Sequence, residues 1–307
     1  MKKINQNKRH LNWQYFAIGA SYILLLAVGG CGSVNPIKAE NTSKNLSTQL
    51  SFICPFAGVE ITYKVNPTQD GSKVTPEITA DVEKVLKKRL DGLGFSQAVV
   101  KSISNDQILI QLPGEEEKNT QKIARVLGAR ANLEFRKQKK GTQAQLQALL
   151  EKKRELSLNG DATATAKNQV VLEKNNQALA NLFEPAQLTG KYIIEAYAEN
   201  AIGNSWNIAI KFDTQGEKLF TDLTKSLAGM GRAIGIFIDN QVISTPTVGA
   251  EFAKDGITGG SAVITGKFTE AEANDFAVQL RSKALSTSIE LLSNQQVKNN
   301  RCATPGK

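Results

Sequence analysis

The stretch Ala98–Gly114, AVVKSISNDQILIQLPG, decides the fold. Ala98–Ser104 and Gln107–Leu112 read as two strands joined by Asn105-Asp106, a two-residue hairpin signal, and Pro113-Gly114 stops the second. On the N-terminal side, Thr75-Pro76-Glu77 opens a helix, with Thr as N-cap, Pro at the first helical position and an acid in the first turn. Ile78, Val82, Val85, Leu86, Leu90 and Leu93 recur at helical spacing, and Gly92 and Gly94 end the run. Before it, Ile61, Tyr63 and Val65 alternate with polar residues, which predicts a strand within Phe52–Val65. On the C-terminal side, Glu115–Leu127 reads as a shorter helix with acids at its positive end, and Asn132–Lys137 as another strand. Strand, helix, hairpin, helix, strand predicts an α+β sheet with helices on one face.

Thr142–Leu182 has a different composition, rich in Gln, Ala, Lys, Asn and Leu. Leu146, Leu149 and Leu150 predict one helix and Val170–Leu182 another, interrupted at Asn159-Gly160-Asp161. A second unit begins near Phe183. Strands are expected at Lys191–Glu199 and Trp206–Phe212, then a helix capped by Asp213, with Leu219, Phe220, Leu223 and Leu227 inward. Ala233–Ile238 and Gln241–Ser244 flank Asp239-Asn240, a tight turn, and Ser261–Thr265 follows a glycine turn. Thr269 with Glu272 forms a capping box for the last helix. A strand over about Thr287–Leu292 precedes a polar tail. Trp206, Phe212 and Phe220 are expected in the core of this unit.

The 307 residues carry a net charge of +9. Lys2, Lys3, Lys8 and Arg9 contribute four of these in an acid-free start, leaving +5 spread along the rest. No basic block is interleaved with aromatics, which argues against nucleic acid. The basic start, an apolar run over about Tyr15–Val28 and Gly29-Gly30-Cys31 make a secretory signal that resembles a lipobox. Residues 1–30 are then a signal peptide, Cys31 the lipidation site and 31–50 a polar tether to the membrane. An uncleaved anchor is the other reading. Both place the rest outside the cytoplasm. Past His10 there is no histidine, so no catalytic triad or imidazole metal site is expected, and no cofactor. Gly259-Gly260 lacks the Lys-Ser/Thr of a phosphate loop, and Glu115-Glu116-Glu117 is a charge run at a helix start. The chain is not expected to be an enzyme.

Several segments, in order, resemble the first periplasmic domain of SecD, an accessory subunit of the protein translocase. They are Arg89–Gly94 (RLDGLG), Gln107–Gly114 (QILIQLPG), Asn132–Lys137 (NLEFRK), Arg232–Pro246 (RAIGIFIDNQVISTP), Ile257–Ala262 and Phe268–Leu285 (FTEAEANDFAVQLRSKAL). The resemblance implies a ferredoxin-like base over 51–140 and 266–294 with an inserted α+β head over 183–265. A helical connector over 141–182 would join them, and 295–307 is a polar tail. It implies binding of preprotein substrates and of Sec partners, namely SecF, a full-length SecD and the channel. Where the family carries a motif reading roughly GLDLRGG, this chain has Ile53–Val59, and only Gly58 survives, which implies looser coupling to the bilayer. The family's membrane helices and their proton-linked residue have no counterpart before Lys307, so the chain is expected to guide clients without driving them. An envelope assembly lipoprotein reusing the fold is the alternative. With first and last base strands paired, the resemblance also implies a possible disulfide between Cys54 and Cys302, in an oxidising compartment.

Overall fold

The computed structural model describes residues 56–68, 71–116, 120–158, 165–201 and 205–300. Cys31, Cys54 and Cys302 lie outside the described residues. In chain order the elements begin with β1 (Phe56–Val65), α1 (Pro76–Gly92), β2 (Val99–Ser104), β3 (Gln107–Pro113) and α2 (Thr120–Gly128). The middle comprises β4 (Leu133–Lys137), α3 (Gln143–Leu158), α4 (Thr165–Ala180), β5 (Leu188–Thr189), β6 (Ile193–Asn200), β7 (Trp206–Phe212) and α5 (Thr214–Leu227). The chain then forms β8 (Ile234–Ile238), β9 (Gln241–Ser244), β10 (Ser261–Phe268), α6 (Glu270–Ser282) and β11 (Ile289–Asn300). Among the described residues no helix is long and apolar enough to cross a membrane.

The base is the antiparallel sheet β11-β1-β3-β2, in which the last strand lies beside the first. That order, with α1 before the hairpin, is the split βαβ arrangement expected. Val59, Ile61, Tyr63 and Val65 point to one face of β1 and are buried, together with Ile108, Ile110 and Leu112 of β3. Val82, Leu86 and Leu90 of α1 close that core. Gly58 has φ +152°, and a Cβ there would fall on the Leu112 carbonyl oxygen. The glycine is therefore required by close packing of β1 on β3. β11 runs well past the expected Leu292, through six residues of the predicted polar tail. Polarity hides it from pattern reading, and polarity suits an outer strand.

α2 ends against a fully buried cation. Arg89 of α1 donates through Nη1 to the carbonyls of Val126 (3.1 Å), Leu127 (2.6 Å) and Ala129. Its Nη2 reaches the carbonyls of Arg130 (3.4 Å) and Lys283 (3.3 Å). The last carbonyls of a helix have no intrahelical partner, and here a side chain supplies the donors. Burial pulls the guanidinium down to about 10, with Asp239 and then Tyr63 holding it up, so it stays charged at neutral pH. Tyr63 donates from its hydroxyl to Ala124 of the same helix (3.0 Å), and burial raises its phenol. Arg130 and Lys283 stand on the two stretches of chain that pass between base and head, and Leu285 N–H bonds the Arg130 carbonyl (3.0 Å). One side chain thus gathers both crossings.

The head has two sheets, β5-β4-β8-β9 and β10-β7-β6. β4 was expected in the base, within 51–140. It instead pairs with β8, Phe135 opposite Ile236, and with β5. Its inward side chains explain this: Phe135 packs edge-on against Phe212 at 5.7 Å and Phe220 at 6.3 Å. Alternation marks a strand but not the sheet it joins. The helical segment likewise does not bridge base and head. Its ends close on each other, Lys139 N–H to Leu182 O and Glu184 N–H to Lys137 O, both 2.8 Å. It is an excursion from the C-terminal end of β4, in which α3 and α4 cover Phe237 and Val242. Arg232, 5% exposed, bonds Gln138 O and Glu184 Oε1 (3.2 Å) at its root. α6, expected with the base, packs on β6 and β7 of the head as well as on α1 and α2.

Arg89→Met takes the buried guanidinium from the α2 carbonyls, of which Val126 O keeps only Gln279 Nε2 (3.4 Å), and is expected to lower the unfolding free energy by about 3–5 kcal/mol. The measurement is the urea midpoint at unchanged slope. Arg89→Lys keeps the charge but not the planar fork, and should recover less than half of the loss.

Candidate functional site

The head's two sheets approach through β9 and β10 without pairing. An apolar crevice of about 370 Å³ opens between the β4–β8 side of one sheet and β10 of the other. Its floor is Phe135 of β4 and Phe220 of α5, its walls are Ile234 and Ile236 of β8 with Val248 and Ile257, and its rim is Ser261–Val263 of β10. No lining residue is ionisable. The hydroxyl of Thr224, also in the lining, donates to Phe220 O (2.9 Å) and accepts from Ile257 N–H (2.9 Å), so it is already satisfied. Such a surface can bind apolar groups, but it holds no acid, base or cation for catalysis.

The local sequence builds each wall. Asp213 caps α5 by accepting from Gly216 N–H (2.8 Å), which sets the helix that carries Phe220. Asp239 and Asn240 have φ of 50° and 64°, the two left-handed residues of a tight hairpin turn, and this fixes the register of β8 with β9. The Asp239 carboxylate also accepts from Ala131 N–H (3.2 Å) and Asn132 N–H (2.9 Å), holding the chain in place just ahead of β4. Thr269 and Glu272 complete the capping box that ends β10 and starts α6. Gly259 donates to Glu217 Oε1 (3.0 Å), so the glycine turn takes a carboxylate of its own chain.

β10 is the outer strand of its sheet. Phe212 N–H bonds Gly260 O (2.8 Å), and Ser261 stands opposite Lys211. Bonded pairs alternate in an antiparallel ladder, so Ala262 and Ile264 face β7 while the main chains of Ser261 and Val263 face outward. The Val263 side chain is 47% exposed. The opposite outer strand, β6, is guarded: Arg281 donates to Ala196 O (2.5 Å), and Lys283 to Lys191 O (2.8 Å) and Ile193 O (2.6 Å). Charged side chains on an edge discourage strand addition. β10 carries no charge from Ser261 to Gly266 and meets the apolar crevice.

Sequence reasoning located Phe220 and the Asp239-Asn240 turn. It missed Phe135 as crevice floor, because β4 was assigned to the other sheet. It also missed Arg89, whose motif RLDGLG shows an arginine on an apolar helix face, the one signal available. Trp206 is half-buried beside the head core, and Phe212 and Phe220 are inside it, as expected. Among the described residues no group of three or more His, Cys, Asp or Glu is placed to hold a metal ion.

Two family models match the chain. The SecDF P1 head subdomain matches residues 164–287, and the N-terminal P1 domain of the protein translocase subunit SecDF matches 79–140. The protein translocase subunit SecD of Synechocystis sp. is 39% identical over 252 residues, covering 78% of this chain and 53% of that protein. SecD of Prochlorococcus marinus is 32% identical over 271 residues, covering 76% and 54%. The chain spans about half the length of these curated relatives. A crystal structure of SecDF in a super-membrane-facing form superposes with TM-score 0.58 at 25% identity, over 77% of this chain and 30% of that one. A second solved structure, of SecDF as a membrane component that enhances protein export, gives TM-score 0.59 at 24% identity. It covers 78% of this chain and all of that one, and shares the fold. Motif order, the head-in-base topology and both family models agree, and the chain belongs to the SecD/SecDF P1-domain family.

Proposed function

We propose that this chain assists protein translocation by binding extended polypeptide on the far side of a membrane. The observation that carries the reading is the uncharged crevice running along an unguarded strand edge. An incoming segment would add main-chain bonds to Ser261 and Val263 and seat alternate apolar side chains between the sheets, the strand-addition mode of peptide recognition. An uncharged lining favours clients that share only apolar, unfolded stretches. Preproteins in transit have that chemistry, and the relatives named above are translocase subunits. The head model spans the crevice from Phe220 to Val263. SecF, a full-length SecD and the channel are the proposed Sec partners. Cys31 is the proposed lipid attachment point that keeps the domain on the extracytoplasmic face.

Val263→Asp puts an unpaired charge on the crevice rim, and Val263→Pro removes one outward N–H without touching the β7 ladder. Each is expected to weaken binding of a permanently unfolded, fluorescent polypeptide by about tenfold or more, with the urea midpoint of the protein unchanged. Undiminished affinity in both variants contradicts the reading. Cys31→Ser is expected to abolish palmitate labelling and shift the protein out of the membrane fraction. A variant that stays labelled removes the anchor from the proposal.

A further inference from the structure

A smaller cleft, of about 220 Å³, lies between α1 and the link from α6 to β11. Asp81, Lys84, Val85 and Lys88 form its α1 wall, and residues of the link form the other. The α1 residues are spaced i, i+3, i+4 and i+7, which puts them on one side of the helix. Lys84 and Lys88 are exposed, and neither takes part in an ion pair among the described residues. They stand at i, i+4, where like charges oppose the helix. Lys283 faces them from the link. It donates to Lys191 O and Ile193 O, which uses two of its three protons. Burial pulls its ammonium below the ordinary lysine value, Asp213 holds it up and Lys88 pushes it down again. Three cations thus border the cleft, with Asp81 as the one acid in the lining.

The link adds donors of a second kind. Lys283 has φ +77°, and the chain leaves the helical course there. The N–H groups of Lys283 and Leu285 are bonded, to Leu280 O (3.3 Å) and Arg130 O (3.0 Å). Those of Ala284 and Ser286 have no acceptor among the described residues, and the exposed Ser286 hydroxyl has no partner among them either. Unpaired amides beside unpaired ammonium groups suit an anion with several acceptor oxygens. A carboxylate offers two oxygens in one plane. A phosphate offers three to donors that arrive from different directions.

We propose that this cleft binds a phosphate group, held by Lys84 and Lys88 of the base on one side and by the Lys283–Ser286 link on the other. Bound phosphate offsets the Lys84–Lys88 and Lys88–Lys283 repulsions and takes up the free amides. Inorganic phosphate and the monoester head group of phosphatidic acid both carry the three oxygens required. The site rests on neither polypeptide binding nor the lipid anchor.

The test is titration of the isotopically labelled full chain with inorganic phosphate at constant ionic strength, read by amide NMR shifts and calorimetry. Saturable one-to-one binding is expected, with the Ala284 and Ser286 amides moving most. Lys84→Ala combined with Lys88→Ala should weaken it by about tenfold or more. Lys87→Ala, on the same helix but outside the lining, should leave it unchanged. A short-chain, water-soluble phosphatidic acid separates the two sources. Tighter binding of it than of inorganic phosphate assigns a lipid head group, equal or weaker binding assigns the free anion, and either upholds the site. The proposal is overturned if no amide shift saturates, or if the shifts centre away from the cleft. It is equally overturned if the double variant binds as well as the parent, if Lys87→Ala weakens binding as much, or if glutarate takes the same amides as tightly as phosphate.

Discussion

A single buried guanidinium sets the relation between base and head. The two lobes have separate apolar cores, one under the β1–β3 sheet and one around Phe135, Phe212 and Phe220. The chain crosses between them near Arg130 and near Lys283, and Arg89 donates to a carbonyl at each place while also ending α2. Ala131 and Lys283, beside these contacts, both adopt positive φ without being glycine. Such residues persist where surrounding bonds over-determine them. Asp239 fixes the Ala131 amide, and carbonyls of the β6 side fix the Lys283 ammonium. Arg232 does the same work one level down, gathering both roots of the α3–α4 excursion. Arg89 is buried on backbone carbonyls alone and Arg232 on the Gln138 carbonyl and the Glu184 carboxylate, arrangements that are costly to break and geometrically selective.

This positioning leaves the proposed client surface as what remains unpaired. A head built from two small sheets has four outer strands. One outer edge, β6, is closed by Arg281 and Lys283. β10 is left with its main chain open beside an apolar cleft, a combination that globular proteins ordinarily suppress. An open edge with an apolar seat is what reception of an extended chain requires, and it requires no catalytic group.

Much of this architecture was legible in the sequence because it is written locally. Thr75-Pro76, Asp213 and the Thr269–Glu272 box mark helix starts by their own chemistry, and all three caps are made. Asn105-Asp106 and Asp239-Asn240 mark hairpins in the same way. What could not be read is set by partners distant in the chain. β4 has an ordinary alternating pattern, and only the rings of Phe212 and Phe220 assign it to the head. The second half of β11 is too polar to resemble a strand, yet β1 templates it as far as Asn300. Arg89 shows the same limit: its position on an apolar face is visible, but the carbonyls it caps lie 37 or more residues away. The crevice itself arises between two sheets, and no run of residues encodes it.

The most direct test of the account is site-specific photo-crosslinking in living cells during arrest of a secreted preprotein. A photoreactive residue at position 263 should capture the arrested chain, and one at Ile103, on the outer strand of the base and 45% exposed, should not. Equal capture at both positions, or capture at 103 alone, would contradict a client site on the β10 edge.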